Sequence, residues 1–195
     1  MTAANKRNTL RAQLQQRRYS LSKKQQRDYS KKICQQIIAK STCFQKAQHI
    51  AFYTPVKGEA NPLPLQKMAD KSFYLPVLSL KQAFHLIFVK IDKNTRYRNN
   101  KYAIPEPIYN AEDIIAAENL DLIIMPLVAM DRQGNRLGMG GGYYDRSLAF
   151  KKEAKTNAPQ LLGFAYDFQL VDKLTAKAWD VPLDFMATNK EFICL

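Results

Sequence analysis

Leu10 and Leu14 stand one helical turn apart in a polar stretch rich in Arg and Gln, which predicts a helix over 5–18. Ser20 or Ser22 then caps a second helix running to about residue 40, with Tyr29, Ile33, Ile37 and Ile38 on one face and Lys and Gln opposite. Beyond that point the pattern changes from helical spacing to short apolar runs. Residues 50–53, 73–77, 86–89, 122–126 and 161–165 read as strands, and 122–126 is the most continuous. Helices are predicted after Pro62 and Pro64, over 111–118 and over about 143–155, and residues 92–110 read as loop. Strands alternating with helices predict an α/β sandwich with a mainly parallel sheet. Neither repeats nor linkers interrupt the 195 residues, so a single domain spanning 1–195 is expected.

Charge adds a second layer to this picture. The formal net charge is +13. Eleven of the 30 Lys and Arg residues, but only one of the 17 acids, fall in residues 1–40. The body is therefore near neutral and the first helical segment is strongly basic, a pattern that attracts anions such as nucleic acid, nucleotide phosphate or a polyanionic substrate. A nucleic-acid module should interleave stacking aromatics with its cations, yet this segment has only Tyr19 and Tyr29, and Tyr29 lies on the apolar face. Cys34, Cys43 and Cys194 form no CxxC pair and only His49 and His85 are present, so a structural zinc site is not expected and a reducing cytoplasm is. The longest apolar runs fall far short of a membrane span.

The chemistry concentrates in Arg136-Leu137-Gly138-Met139-Gly140-Gly141-Gly142-Tyr143-Tyr144-Asp145. Four of the seven glycines lie within five positions, which implies backbone that approaches a ligand closely or takes positive φ. A loop after a strand and before a helix is where open α/β sheets bind ligands, and its N–H groups can converge on phosphate. The spacing fits neither GxxxxGK[ST] nor GxGxxG. Arg136 can add positive charge, and Asp145 is a hard carboxylate suited to Mg2+ beside a polyphosphate. Two plainer readings stay open: a glycine-rich hairpin without a ligand, and Asp145 as a first-turn helix acid.

With those residues in view, the chain resembles the 5-formyltetrahydrofolate cyclo-ligase family, also called methenyltetrahydrofolate synthetases. The resemblance rests on RLGMGGGYYD at 136–145, the strand and approach at 121–131, Arg7-Asn8-Thr9-Leu10-Arg11, and Tyr53-Thr54-Pro55 followed by Glu59. The stretches 163–169 and 180–184 complete it.

The resemblance implies a three-layer α/β sandwich with a mainly parallel sheet, on the scaffold shared with sugar-phosphate isomerases and acyl-CoA transferases. A shared scaffold would not by itself establish the chemistry. It also implies ATP as co-substrate and Mg2+ as cofactor. Arg7, Asn8, Thr9, Leu10 and Arg11 would bind ATP together with Arg136, Leu137, Gly138, Met139, Gly140, Gly141, Gly142, Tyr143 and Tyr144. Lys6, one residue off register, competes with Arg7 for the phosphate role. Arg136 and Tyr144 would be catalytic, Thr54 and Glu59 would contact the folate, and Asp145 and Asp180 would hold the metal. The expected protein is a cytoplasmic monomer without a removable presequence. It acts on a small-molecule folate, which can carry a polyglutamate tail, and has no nucleic-acid or membrane partner.

Overall fold

The computed structural model describes residues 3–153 and 159–195. The chain opens with α1 (Ala3–Ser20), α2 (Lys23–Lys40), α3 (Thr42–Lys46), β1 (His49–Ala51), α4 (Leu65–Met68), β2 (Ser72–Leu78) and β3 (Leu86–Ile91). The short strands β4 (Tyr97–Asn99), β5 (Pro105–Pro107) and β6 (Ile114–Ile115) follow, then β7 (Leu122–Met125), β8 (Ala129–Met130) and β9 (Arg136–Leu137). After α5 (Tyr143–Ser147) come β10 (Gln160–Phe164), β11 (Phe185–Ala187) and β12 (Phe192–Cys194).

The main sheet has eight strands in the order β12-β11-β10-β7-β1-β2-β3-β6. Its central five, from β11 to β2, are parallel, and antiparallel strands flank them on both sides. Alternation along each strand sends side chains to opposite faces. Ile50, Leu122, Ile124, Leu162 and Phe164 meet Ile33, Ile37 and Phe44 of α2 and α3. Ala51, Ile123, Met125 and Leu161 face Leu148, Val181 and Leu183 on the other side. The expected α/β sandwich is present, with α2 and α3 on one face and α5 plus irregular chain on the other.

Local chemistry explains the helix boundaries. Ser22 rather than Ser20 caps α2: its hydroxyl accepts from Gln25 N at 3.2 Å while Gln25 Oε1 accepts from Ser22 N at 2.8 Å. Ile33 and Ile37 are fully buried, each contributing about 1.5–3 kcal/mol relative to exposure.

Three expectations change. The helix read over 143–155 stops at Ser147, because the Ser147 hydroxyl donates back to Tyr143 O at 2.8 Å and accepts from Leu86 N of β3 at 2.8 Å. A 3-10 turn, Ala149–Lys152, follows, and positions 154–155 of that predicted helix lie outside the described residues. In place of a helix over 111–118, two 3-10 turns flank β6, whose β-branched pair registers on the edge of β3. The loop over 92–110 holds the β4–β5 hairpin. Among the described residues, no helix is long and apolar enough to cross a membrane.

Gly163 lets Leu183 and Leu127 press closely onto one face of the sheet. A Cβ there would lie 2.7 Å from Leu183 Cδ1 and 3.0 Å from Leu127 Cδ2. Gly163→Ala is therefore expected to cost about 1–3 kcal/mol in denaturant unfolding by overpacking. An unchanged midpoint would show that the 180–183 segment is not pressed against the sheet.

Candidate functional site

The glycine loop does not follow β7 directly. Between them stands the β8–β9 hairpin, whose turn is organised by the fully buried Asp131. Its carboxylate accepts from Gln133 N, Asn135 N and Asn135 Nδ2 at 3.0 Å, and from Leu174 N at 2.7 Å. That turn delivers Arg136 inward. Arg136 is 7% exposed. Its Nη1 and Nη2 donate to Asp145 Oδ1 at 2.9 and 2.7 Å, and Nη1 also donates to the Val181 carbonyl at 3.0 Å. Burial lowers the Arg136 pKa, and the Asp145 and Asp180 charges oppose that. Three of its five N–H donors are thus engaged, and two have no partner among the described residues.

Residues 138–142 then form an open, mostly exposed loop. A Cβ on Gly138 or Gly140 would meet nothing within 4 Å. Packing in the free protein therefore does not require glycine at 138. Gly142, at φ +65°, starts α5. Because α5 has only five residues, its dipole supplies little of the anion attraction expected of a helix start.

Side chains supply the positive charge instead. Positions 7, 11, 14 and 18 form one stripe of α1. Leu14 and the half-buried Leu10 pack against Val128, Leu137 and Leu174, which seats α1 across the loop. Arg7 donates to Thr175 O at 2.7 Å and lies 3.5 Å from Asp180. Arg11 Nε donates to Gly138 O at 2.9 Å, and its Nη1 donates to Asn8 Oδ1 at 2.7 Å. Arg11 has a lowered pKa, from burial first and from the charge of Arg7 second. Lys6 and Thr9 are exposed, so Arg7 is the residue that bears on the 175–180 segment. Asp180 also accepts from Lys177 N at 3.0 Å.

The fifth segment is the loop after β1. Tyr53 donates to Ala60 O at 2.6 Å and so folds the loop that carries Thr54 and Glu59. Thr54 donates to Pro105 O of β5 at 3.4 Å. Glu59 is buried; its Oε2 accepts from Val56 N at 3.1 Å. Burial raises the Glu59 pKa, while the Val56 N–H and then the Arg18 charge oppose it. Tyr144, from α5, comes close enough to Glu59 that burial and this charge hold its phenol far above the ordinary range.

The structure thus gathers α1, the 54–59 loop, the glycine loop, α5 and the 175–181 segment. Leu10 and Leu137 are packing residues within that assembly. Sequence reasoning missed Arg18, Phe84 and Tyr102. Arg18 was signalled by its seven-residue spacing from Arg11. The Tyr102 hydroxyl lies 2.9 Å from that of Tyr143, which is pushed up to about 12 mainly by this bond, and Phe84 lies 5.8 Å from the Tyr143 ring. Neither had a local sequence signal.

Among the described residues, no group of three His, Cys, Asp or Glu side chains could hold a metal ion. Asp145 and Asp180 each face an arginine instead. The donor set does not fit a metal cage built by the protein alone. It does fit Mg2+ that arrives on a polyphosphate, which needs only one or two carboxylates from the protein.

A family model described as the 5-formyltetrahydrofolate cyclo-ligase family matches residues 3–189. The chain is 35% identical over 178 residues to the 5-formyltetrahydrofolate cyclo-ligase of Escherichia coli strain K12, covering 90% of this chain and 96% of that one. The enzyme of that name from Haemophilus influenzae is 35% identical over 181 residues, covering 91% and 95%. Among solved structures, the fold matches the NMR structure of Aquifex aeolicus 5,10-methenyltetrahydrofolate synthetase with a TM-score of 0.81 at 30% identity, covering 96% and 92%. It also matches the synthetase of that name from Mycoplasma pneumoniae with a TM-score of 0.71 at 28% identity, covering 94% and 98%.

Proposed function

Since the chain belongs to the 5-formyltetrahydrofolate cyclo-ligase family along nearly its whole length, we propose that the five converging segments are the active site for that reaction. The reaction closes 5-formyltetrahydrofolate to 5,10-methenyltetrahydrofolate with consumption of ATP. The observation that carries the site assignment is the convergence of three arginines around the glycine loop: Arg11 on the Gly138 carbonyl, Arg136 at the loop's start paired with Asp145, and Arg7 on Asp180 of the neighbouring segment.

A formamide oxygen is a poor leaving group. Attack of that oxygen on the γ-phosphorus of ATP forms the O–P bond and releases ADP, leaving an iminium phosphate. The neighbouring folate nitrogen then attacks the carbon, loses its proton and closes the ring. The C–O bond breaks and phosphate departs. Phosphoryl transfer of this kind asks for positioning and charge stabilisation rather than a strong nucleophile.

In this reading Arg7 and Arg11, with the stretch Asn8-Thr9-Leu10 between them, hold the nucleotide from α1. Their mutual repulsion at close quarters is relieved by a bound polyanion. Residues 136–144 wrap the phosphates from the other side, and the two unused donors of Arg136 meet the charge that moves in the transition state. Tyr144 keeps its proton across the neutral range and donates a hydrogen bond toward the reacting formyl group. Glu59 accepts from the folate ring N–H groups, with Thr54 beside it. Mg2+ would be held by Asp145 and Asp180, and when bound it supplies neutralisation of phosphate charge. A cytoplasmic monomer acting on this small molecule, with the basic α1 attracting any polyglutamate tail, completes the proposal.

The test is spectrophotometric. Methenyltetrahydrofolate should accumulate only when ATP is present, and EDTA should abolish it. Well-folded protein that makes no product with ATP and Mg2+ would refute the activity, and full turnover in EDTA would remove the metal assignment.

A further inference from the structure

Arg18 lies in the last turn of α1 and is completely buried. Its Nη1 is 3.5 Å from Glu59 Oε1 and donates to Leu127 O at 3.3 Å. Its Nη2 reaches Met139 Sδ of the glycine loop at 4.0 Å. Its Nε–H finds no hydrogen-bond partner among the described residues. One guanidinium thus touches the 54–59 loop, the chain just beyond β7 and the glycine loop. The backbone of the 54–59 loop closes on the same helix end, since a Cβ on Gly58 would lie 3.2 Å from the Arg18 carbonyl oxygen.

Stability alone does not account for this arrangement. Removing two charges from water costs several kcal/mol per ion, and an apolar side chain of similar volume often serves equally well. An unused buried donor adds to the cost.

We propose that Arg18 is a positioning residue: its guanidinium, 3.5 Å from Glu59 Oε1, holds that carboxylate in place and aims it at the folate. This rests on the reading of Glu59 as a folate contact. The groups facing Glu59 are Arg18 from α1, Lys57 and Tyr53 from its own loop, Tyr144 from α5 and Tyr166 after β10. All three phenols titrate above the neutral range, Tyr166 at about 12, so they stay uncharged there. Burial pushes the Glu59 carboxyl up, and Arg18 supplies the stronger of the two opposing positive charges. Loss of that charge favours the protonated carboxyl, so folate binding should require a higher pH.

The experiment measures kcat, both KM values and the pH profile for Glu59→Gln, Arg18→Met, Arg18→Lys and the double variant Arg18→Met/Glu59→Gln. Glu59→Gln should raise the folate KM about tenfold, a loss of about 1.4 kcal/mol. An unchanged folate KM there would overturn the folate-contact reading itself. Arg18→Met should raise the folate KM similarly, leave the ATP KM within threefold, and move the acid limb of kcat/KM upward. Arg18→Lys should return the acid limb to its original place while leaving the folate KM about threefold high. Arg18→Met added to Glu59→Gln should change the folate KM less than twofold, because the pair acts as a unit. If Glu59→Gln loses folate affinity while a folded Arg18→Met keeps the parent KM and acid limb, Arg18 has no positioning role. If Arg18→Met does not fold, Arg18→Lys decides: a folate KM equal to the parent's overturns the inference.

Discussion

Arg136→Met is expected to lower kcat by about 100- to 1000-fold, the range seen when one preorganised transition-state donor is removed. The guanidinium is buried, and its two terminal nitrogens share Asp145 Oδ1. Val181 N also approaches that oxygen, at 3.3 Å, so Arg136, Asp145 and the 181 backbone form one unit. Breaking it strands the carboxylate and is expected to cost about 3–5 kcal/mol of stability, toward the lower end because Asp145 is partly exposed. The companion Arg136→Met/Asp145→Asn removes both charges and should recover part of that stability without recovering turnover. Arg136→Lys should also fail, since an ammonium cannot span the oxygen and the Val181 carbonyl as the planar fork does. Steady-state kinetics beside denaturant unfolding separates the two losses. A folded Arg136→Met enzyme within tenfold of the parent kcat removes the residue from the catalytic role.

Arg7→Ala combined with Arg11→Ala is expected to raise the ATP KM by at least 100-fold, since each charge-assisted bond to phosphate is worth about 1.5–3 kcal/mol. The folate KM should move little, because the 54–59 loop is held at the other end of α1. Stability should fall only modestly: Leu10 and Leu14, not the arginines, seat the helix on Leu137 and Leu174. Increasing salt should weaken ATP binding to the parent more steeply than to the double variant. Equal ATP KM values for the two proteins would exclude α1 from the nucleotide site.

The legibility of this chain varied with how local each signal was. The run at 122–125 is buried on both faces, so its uninterrupted apolar character marked it as strand. The amphipathic stripe and the Ser22–Gln25 box of α2 are contained within a few residues. β11 and β12 are three residues each, too short for a period to show; β11 pairs with β10, more than 20 residues earlier, and β12 joins the sheet only through β11. The overlong helix after Tyr143 had suitable residues, but Ser147 spends its hydroxyl on Tyr143 O and Leu86 N. The candidate site divides in the same way. Its glycine cluster, Arg7, Arg11, Glu59 and Asp145 were nameable from spacing and resemblance, whereas Arg18 looked like one more cation in a basic helix.

By itself the sequence determined the α/β alternation, the position of the glycine cluster between a strand and a helix, and the family to which the chain belongs. Each depends on residue type at short spacing, which the linear chain carries directly. Only the tertiary structure decided which charges work together. Arg136 faces Asp145 and Val181, Arg7 faces Asp180, and Arg18 is buried against Glu59. Those pairings span 9 to 173 positions along the chain, and a charge acts through distance and dielectric in space rather than through its place in the sequence.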